Sequence, residues 1–325
     1  MNVIVEREKG LLELEARIAE LRSVAAAQSV DLHSEIGVLE AKATQVAQEM
    51  FGAMTPWERV HMARHPRRPL GSDYLLALDA FDELHGDRHF GDDAALVGGL
   101  ARLAGRNVVV LAQVKGRDTK QNIARNFGMP APHGYRKAKR LMELASRLGL
   151  PLVTLIDTPG ADPGIASEEH NQSEAIAACL TTLAGVKVPV VATVIGEGGS
   201  GGALALGLAD YVIMLEHSVY SVASPEGCAA ILWGDAAKAD EAAARLRLTS
   251  DDLKKFGIID EIVPEPLGGA HRDSTQTVAD VLAAIGGALD TLAAHSPQEL
   301  LDARYAKYRK MGAFLDTGLP TVGAR

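Results

Sequence analysis

The chain has 325 residues and is 47% hydrophobic, enough for one large domain with an appendage or two medium domains. A net charge of −9, with 23% charged residues and the acids dispersed, excludes the basic balance of a nucleic-acid binder but not a local site for an anion. No run approaches about eighteen apolar residues. Met1 to Gly10 carries acids where a signal peptide has a basic start, so a cytoplasmic protein without a membrane segment is expected.

Two amphipathic helices open the chain. Leu11, Leu14, Ile18, Leu21 and Ala25 step by three and four, and Leu32, Ile36, Leu39, Ala43, Val46 and Met50 repeat the pattern. The short polar stretch Gln28 to Asp31 folds them into an antiparallel hairpin whose seams need cover from each other, the body or a partner. Pro56 ends this region, and Arg64 to Pro69, RHPRRP, reads as a basic, solvated, proline-fixed connection. From Asp87 onward strands alternate with helices: strands at Asn107 to Val114, Pro151 to Asp157, Pro189 to Gly196 and Tyr211 to Leu215, helices at Tyr135 to Leu148 and Glu168 to Ala184. Such a βαβ series collects ligands at the carboxyl ends of its strands. Two Gly- and Pro-rich loops fall there, Asn126 to Gly134 and Asp157 to Gly164. Cys179, in an apolar helix, and Cys228, in a loop, read as buried thiols without a C-x-x-C pair. Val278 to Leu292 reads as an amphipathic helix and Thr317 to Arg325 as a mobile tail.

The chemistry concentrates at Pro189 to Ala209, an apolar β-branched run that breaks into Gly196, Gly198, Gly199, Gly201 and Gly202 and resumes as a helix. Glycine lets successive N–H groups turn inward, and a helix start adds unpaired N–H groups and a positive dipole end, so the turn suits something negative. Three motifs overlap on it. Gly196, Gly198 and Gly201 spell a dinucleotide fingerprint, with Glu216 as the ribose acid. Gly198, Ser200 and Gly202 spell a nucleophile elbow, with Asp235, Asp260 and His271 downstream. The third reading is a bare anion cradle of peptide N–H groups. No Lys-Ser or Lys-Thr pair follows, which excludes a Walker A loop.

Six segments, RNFGMPAPHGYRKA (Arg125 to Ala138), IDTPGADPG (Ile156 to Gly164), QSEAIA (Gln172 to Ala177), VIGEGGSGGALALG (Val194 to Gly207), SVASPEGCAAILW (Ser221 to Trp233) and IVPEPLGGAHR (Ile262 to Arg272), together resemble the alpha subunit of the bacterial acetyl-CoA carboxylase carboxyltransferase. The likeness is ordered and runs from about Leu32 to Arg272, TPWERVHMARHPRRP included. It implies an α/β, crotonase-like ββα spiral with an N-terminal helical hairpin, divided as a helical region 1–86, a carboxyltransferase domain 87–272 and a C-terminal helical segment and tail 273–325. It implies transfer of a carboxyl group from biotin, held on a separate carrier protein, to acetyl-CoA, giving malonyl-CoA for fatty acid synthesis in an ATP-dependent complex. The N–H groups of Gly201 and Gly202 become an oxyanion hole facing biotin, flanked by Gly198, Gly199, Ser200, Gly160, Pro163 and Gly164. Negative charge then collects on the biotin ureido oxygen and on the thioester enolate, and each wants preorganised donors. No protein base is required if biotin takes the proton.

The resemblance also implies a partner. A beta subunit with a four-cysteine zinc ribbon supplies most of the CoA site in an assembly of two alpha and two beta chains, served by the biotin carboxyl carrier protein and biotin carboxylase; no metal is expected in this chain. Asp162 stands where the family pattern has an aromatic residue, and His170-Asn171 replaces Arg-Gly, which leaves the preferred acyl-CoA open. A paralogue for another acyl-CoA is one alternative, and a self-sufficient crotonase-type hydratase or isomerase using Glu197 or Glu226 is another.

Overall fold

A computed structural model of the chain describes residues 2–28 and 31–312. Helices α1 (Val3–Gln28) and α2 (His33–Phe51) lie antiparallel, with Ile4, Leu11 and Ile18 of one packed on Ile36, Ala43, Ala47 and Phe51 of the other. Arg22 meets Glu40 at 2.5 Å at one end, and Arg7 reaches the Met50 carbonyl at the other. The reversal itself includes Ser29 and Val30, outside the described residues. Helix α3 (Pro56–Ala63) starts where Thr55 accepts the Glu58 N–H and Glu58 accepts the Thr55 N–H, a capping box with Pro56 in the first turn. Helix α4 (Gly71–Leu76) follows.

A buried carboxylate pins the hairpin to the body, beside the ion pairs of Glu15 with Arg272 and of Arg7 with Glu58. Glu8 is buried and accepts from His271 Nε2 at 2.8 Å and His65 Nε2 at 3.2 Å, and the two imidazoles stack at 3.7 Å. Burial works against its charge, but the two histidines prevail and hold it at about 2. These three side chains offer ligand atoms within 4.8 Å of one another. The Arg67 N–H, however, points at His65 Nδ1 at 3.2 Å, which leaves the His65 proton on Nε2, directed at Glu8. The trio is a hydrogen-bonded pin.

The body is an eight-stranded mixed sheet covered by helices on both faces. In chain order come β1 (Ala80–Glu83), β2 (Leu96–Leu103), β3 (Arg106–Gln113), α5 (Thr119–Ala124), α6 (Pro132–Leu148), β4 (Leu152–Thr158), α7 (Ile165–Glu169), α8 (Gln172–Gly185), β5 (Val190–Gly199), α9 (Ser200–Gly207), β6 (Tyr211–Leu215) and β7 (Val219–Ser221). Helices α10 (Pro225–Trp233), α11 (Ala239–Leu246) and α12 (Ser250–Lys255), strand β8 (Glu261–Val263), and helices α13 (Ser274–Leu292) and α14 (Pro297–Arg309) complete it. The spatial order is β1-β2-β3-β4-β5-β6-β8, with β7 paired to the end of β5.

From β3 onward every pairing is parallel, in line with the alternating pattern. The β1–β2–β3 meander is antiparallel and was not legible as such. Ala104 and Gly105, both at positive φ, close the β2–β3 hairpin in a two-residue turn whose twist suits the strands. Strand β1, at residues 80–83, is hydrogen-bonded to β2, so the sheet begins ahead of residue 87. Successive β4 residues feed opposite layers: Leu152 and Ile156 pack toward α6, α8 and α9, whereas Val153 and Leu155 pack toward α13. That two-sided burial is why these strands read as continuous apolar runs.

Several expectations need correction. The helix expected over Glu168 to Ala184 is broken, because Asn171 takes φ 61° between α7 and α8. Cys228 lies in α10 rather than a loop and is half-buried, while Cys179 is buried as expected. The segment beyond Arg272 carried no assigned interaction, yet Arg304 of α14 is 2% exposed and holds Asp210 through two hydrogen bonds and the carbonyls of Leu183, Val186 and Val188 through three more. Thr317 to Arg325 lies outside the described residues. Among the described residues no single helix is long and apolar enough to cross a membrane.

Candidate active site

The carboxyl end of β5 leaves the regular ladder before it reaches the glycines. Pairing with β6 ends at Val194, the register with β4 shifts between Ile156 and Thr158, and β7 takes over at Glu197. Side chains serve the backbone groups released in between: Arg68 Nε donates to the Ile195 carbonyl at 2.7 Å, and Asp157 Oδ1 accepts the Glu197 N–H at 2.9 Å. Gly196 is glycine because a Cβ there would stand 2.6 Å from Asp157 Oδ1.

Beyond the irregularity the chain enters α9. Ser200 is exposed with φ 51°, a costly conformation for a non-glycine residue at a strand-to-helix turn. No side chain caps the helix start, and the N–H groups of Gly201 and Gly202 precede any intrahelical partner. Against this turn lies the Asp157 to Gly164 loop. A Cβ on Gly199 would meet the Pro159 carbonyl oxygen at 2.1 Å, and one on Gly202 would meet the Ala161 nitrogen and the Gly160 carbonyl carbon at 2.6 Å. Gly201 faces a side chain instead, Ile176 Cδ1 at 3.4 Å. The two Gly-rich loops therefore touch backbone to backbone.

The same loop is braced from behind. Asp162 donates its N–H to the Pro130 carbonyl and accepts from the Ser167 hydroxyl at 2.6 Å and the Gly164 N–H at 3.2 Å. Partial burial opposes its charge, but hydrogen bonds from Ser167, Asn126 and Gly164 hold its carboxyl below the usual range. Gln172 ties the Pro130 and Asp162 carbonyls together, and Thr158 Oγ1 lies 2.6 Å from the Gly128 carbonyl. Gly160 packs directly on Gly202; Gly164 lies farther along the loop, where it caps α7, with Pro163 beside it. His170 ends α7, its ring 4.1 Å from that of the exposed Phe90.

A charged network underlies the turn. Arg64 Nε and Nη2 donate to Glu197 Oε1 at 2.8 and 2.6 Å, and its Nη1 donates to Glu226 at 2.5 Å. Lys115 bridges Asp157 at 2.7 Å and Glu197 at 3.4 Å. Gln113 Nε2 donates to the Gly202 carbonyl at 2.7 Å while its Oε1 accepts the Asp157 N–H at 3.2 Å. Burial alone would raise the Glu197 carboxyl; Lys115 and Arg64 outweigh it and hold the group below the usual range. Burial works against the Lys115 charge too, but Asp157 and Glu197 raise its ammonium.

The RHPRRP segment is thus solvated only at Pro66 and Arg67. Arg64 reaches Glu197, His65 reaches Glu8, and Arg68, 2% exposed, makes a two-pronged pair with Glu265 at 2.5 and 2.9 Å. The one signal in its sequence was the pair of prolines, since a freely solvated loop has no need of a fixed backbone.

The rival motifs come apart. Glu216 Oε2 accepts the Glu265 N–H, His271 belongs to the Glu8 pin, Asp260 accepts from Val212 and Lys307, and Asp235 caps a turn. None of the last three is hydrogen-bonded to Ser200.

Comparison with known proteins sets this geometry in context. The family model described as acetyl co-enzyme A carboxylase carboxyltransferase-like matches residues 4–312. The acetyl-coenzyme A carboxylase carboxyl transferase subunit alpha of Trichodesmium erythraeum is 53% identical over 318 residues, 97% of this chain and 98% of that one. Its counterpart in Thioalkalivibrio sulfidiphilus is 52% identical over 308 residues, covering 94% and 97%. Among solved structures, transcarboxylase 12S superposes with TM-score 0.55 at 22% identity over 68% of this chain and 40% of that one. A Pseudomonas malonate decarboxylase hetero-dimer gives 0.55 at 22% over 67% and 89%, and the beta subunit of Pseudomonas aeruginosa geranyl-CoA carboxylase gives 0.55 at 16% over 85% and 55%.

Proposed function

The chain belongs to the acetyl-CoA carboxylase carboxyltransferase-like family, and from that premise we propose that it is the alpha, biotin-facing subunit of the enzyme. It is a carboxyltransferase subunit with a crotonase-like fold, and its reaction is carboxyl transfer to acetyl-CoA. The product proposed is malonyl-CoA for fatty acid synthesis in the cytoplasm, with the carboxyl group delivered on a biotin carrier protein charged by biotin carboxylase.

The observation that carries the site is the backbone contact of Gly202 with Gly160 and Ala161, which a single methyl group would fill. A turn with uncapped N–H groups at a helix start fits a group that bears its developing charge on an oxygen. Biotin, when bound, supplies the transferable carboxyl group and that ureido oxygen. Gly201 and Gly202 would donate their N–H groups to it, and Gly198, Gly199 and Ser200 would form the approach. The Gly160, Pro163 and Gly164 loop closes the opposite wall. Proton abstraction by Glu197 is disfavoured, because a carboxylate gripped by Arg64 and Lys115 has lost basicity. This is why the self-sufficient hydratase ranks second.

A beta subunit is the partner proposed, and the hetero-oligomers formed by the malonate decarboxylase neighbours support a paired arrangement. Ser200 and Leu204 are exposed on α9, and Val222, Ile231 and Leu232 around α10 are 64–80% exposed, apolar surface that a companion chain would cover. Asp162 spends its carboxylate on Ser167 and Gly164, so this departure braces the loop rather than presenting a new charge to the acyl chain. That favours acetyl-CoA. The test is malonyl-CoA-dependent carboxylation of biocytin by the chain alone and with a zinc-ribbon beta subunit. Activity only in the mixture is expected; enoyl-CoA hydration by the isolated chain, lost in Glu197→Gln, would replace this reading with the hydratase.

A further inference from the structure

Arg64 joins three parts of the molecule at the end of β5. It closes α3 as its C-cap, takes Glu197 Oε1 with two nitrogens, and takes Glu226 in the first turn of α10 with Nη1. Glu197 directly precedes Gly198 and Gly199, which pair with Tyr220 and Ser221 of β7 just ahead of α10. β5 is paired with neither neighbour at Ile195 and Gly196 and rejoins a ladder at Glu197 through β7, so ladder hydrogen bonds alone do not brace the bend that leads into the glycines. Side chains do so: Arg68 at Ile195, Asp157 at the Glu197 N–H, and Arg64 with Lys115 at the Glu197 carboxylate.

We propose that Arg64 is a positioning residue for the anion cradle: by gripping Glu197 and Glu226 together it fixes the glycine turn against α10, and with it the direction of the Gly201 and Gly202 N–H groups. The proposal rests on the reading of that turn as the reacting site. The planar fork is what the task requires, because it serves two carboxylates from different elements at once, whereas an ammonium on a flexible stem holds one well. The neighbouring His65 hangs the same segment on Glu8, so the arginine is itself held by the docked hairpin.

The test uses full-length Arg64→Met and Arg64→Lys. In the assembled complex, biocytin carboxylation by Arg64→Met should lose about tenfold in kcat with KM within twofold, since a misaimed donor costs less than the hundred- to thousandfold typical of a deleted one. Arg64→Lys should recover part of the loss. The acid limb of the kcat profile should move to higher pH in Arg64→Met, because Glu197 loses one of the two cations that keep it ionised, whereas a merely structural role would leave that limb in place. In the chain alone, amide hydrogen exchange should quicken at 194–206 in Arg64→Met and remain unchanged in β3 and β4. Exchange at 194–206 equal to wild type overturns the inference whether or not the complex is active. Unchanged kcat in an assembled, active complex overturns it as well. A wild-type complex without carboxyltransferase activity, but with the exchange response intact, removes the functional reading and leaves the positioning role.

Discussion

Gly202 and Gly160, 42 positions apart, meet so closely that a Cβ on Gly202 would stand 2.6 Å from the Gly160 carbonyl carbon and 3.0 Å from its oxygen. Backbone cannot step aside as a side-chain tip can. Two loops from the ends of adjacent parallel strands are therefore held together by the absence of side chains.

Position 202 should thus be far less tolerant than position 201. Gly202→Val is expected to abolish carboxyl transfer by at least about a hundredfold, as loss of an oxyanion donor does. Gly201→Ala retains its N–H and meets only Ile176 Cδ1 at 3.4 Å, so activity should stay within a few-fold and helix propensity should add up to about 1 kcal/mol. Rates and urea melts of the two variants check the contrast; equal tolerance at both positions would contradict it.

Ser200 separates the cradle from a nucleophile elbow. Its φ of 51° is strained for serine, so Ser200→Gly should leave stability equal or raise it by less than about 1 kcal/mol, strain relief being partly offset by glycine's entropy. Turnover should change little. Loss of all activity in both Ser200→Gly and Ser200→Ala would restore the hydrolase reading.

Glu8→Gln should loosen the N-terminal hairpin. One buried imidazole N–H loses its acceptor, at a cost of about 1–3 kcal/mol. Glu8 is depressed from an ordinary 4.5 to about 2, so the stability it adds is complete above pH 4.5 and disappears as the pH falls through 2. The gap between wild type and Glu8→Gln in urea melts should narrow as the pH falls from about 4.5 toward 2, where Glu8 takes up its proton. A gap that stays the same across that range would refute the pin.

Arg304→Met should destabilise the chain by roughly 3–5 kcal/mol, because it strands the buried Asp210 carboxylate and three carbonyls at once. Asp210 also accepts the Val190 N–H at the start of β5, so the damage should reach that strand. Arg304→Met, Asp210→Asn together should recover part of the loss; simple additivity would mean the pair is not coupled.

Much of the fold was legible because local physics sufficed. The heptad-like steps of α1 and α2, the apolar runs of β3 to β6 and the glycine turn all follow from side-chain periodicity or from steric freedom at single residues. The β1–β2–β3 meander was missed because its hairpin turn, Ala104-Gly105, lacks the Asn-Gly or Asp-Gly pair that would have marked it, and because Gly98 and Gly99 interrupt β2. Asn171 was missed as a break although asparagine, after glycine, is the residue that most readily takes the left-handed conformation found there.

By itself the sequence specified the family through its ordered motifs and pointed to the glycine turn as the site proposed here, since glycines between a strand and a helix let N–H groups face outward without a Cβ. What only the tertiary structure decided was which charges serve that turn. Arg64, Lys115, Glu197 and Glu226 are up to 162 positions apart in the chain, and Glu8 lies 263 from His271. Charged side chains carry no periodicity that names a partner. Their pairing follows from the burial that folding imposes, which makes an unpaired charge costly and so selects the partner that happens to be near.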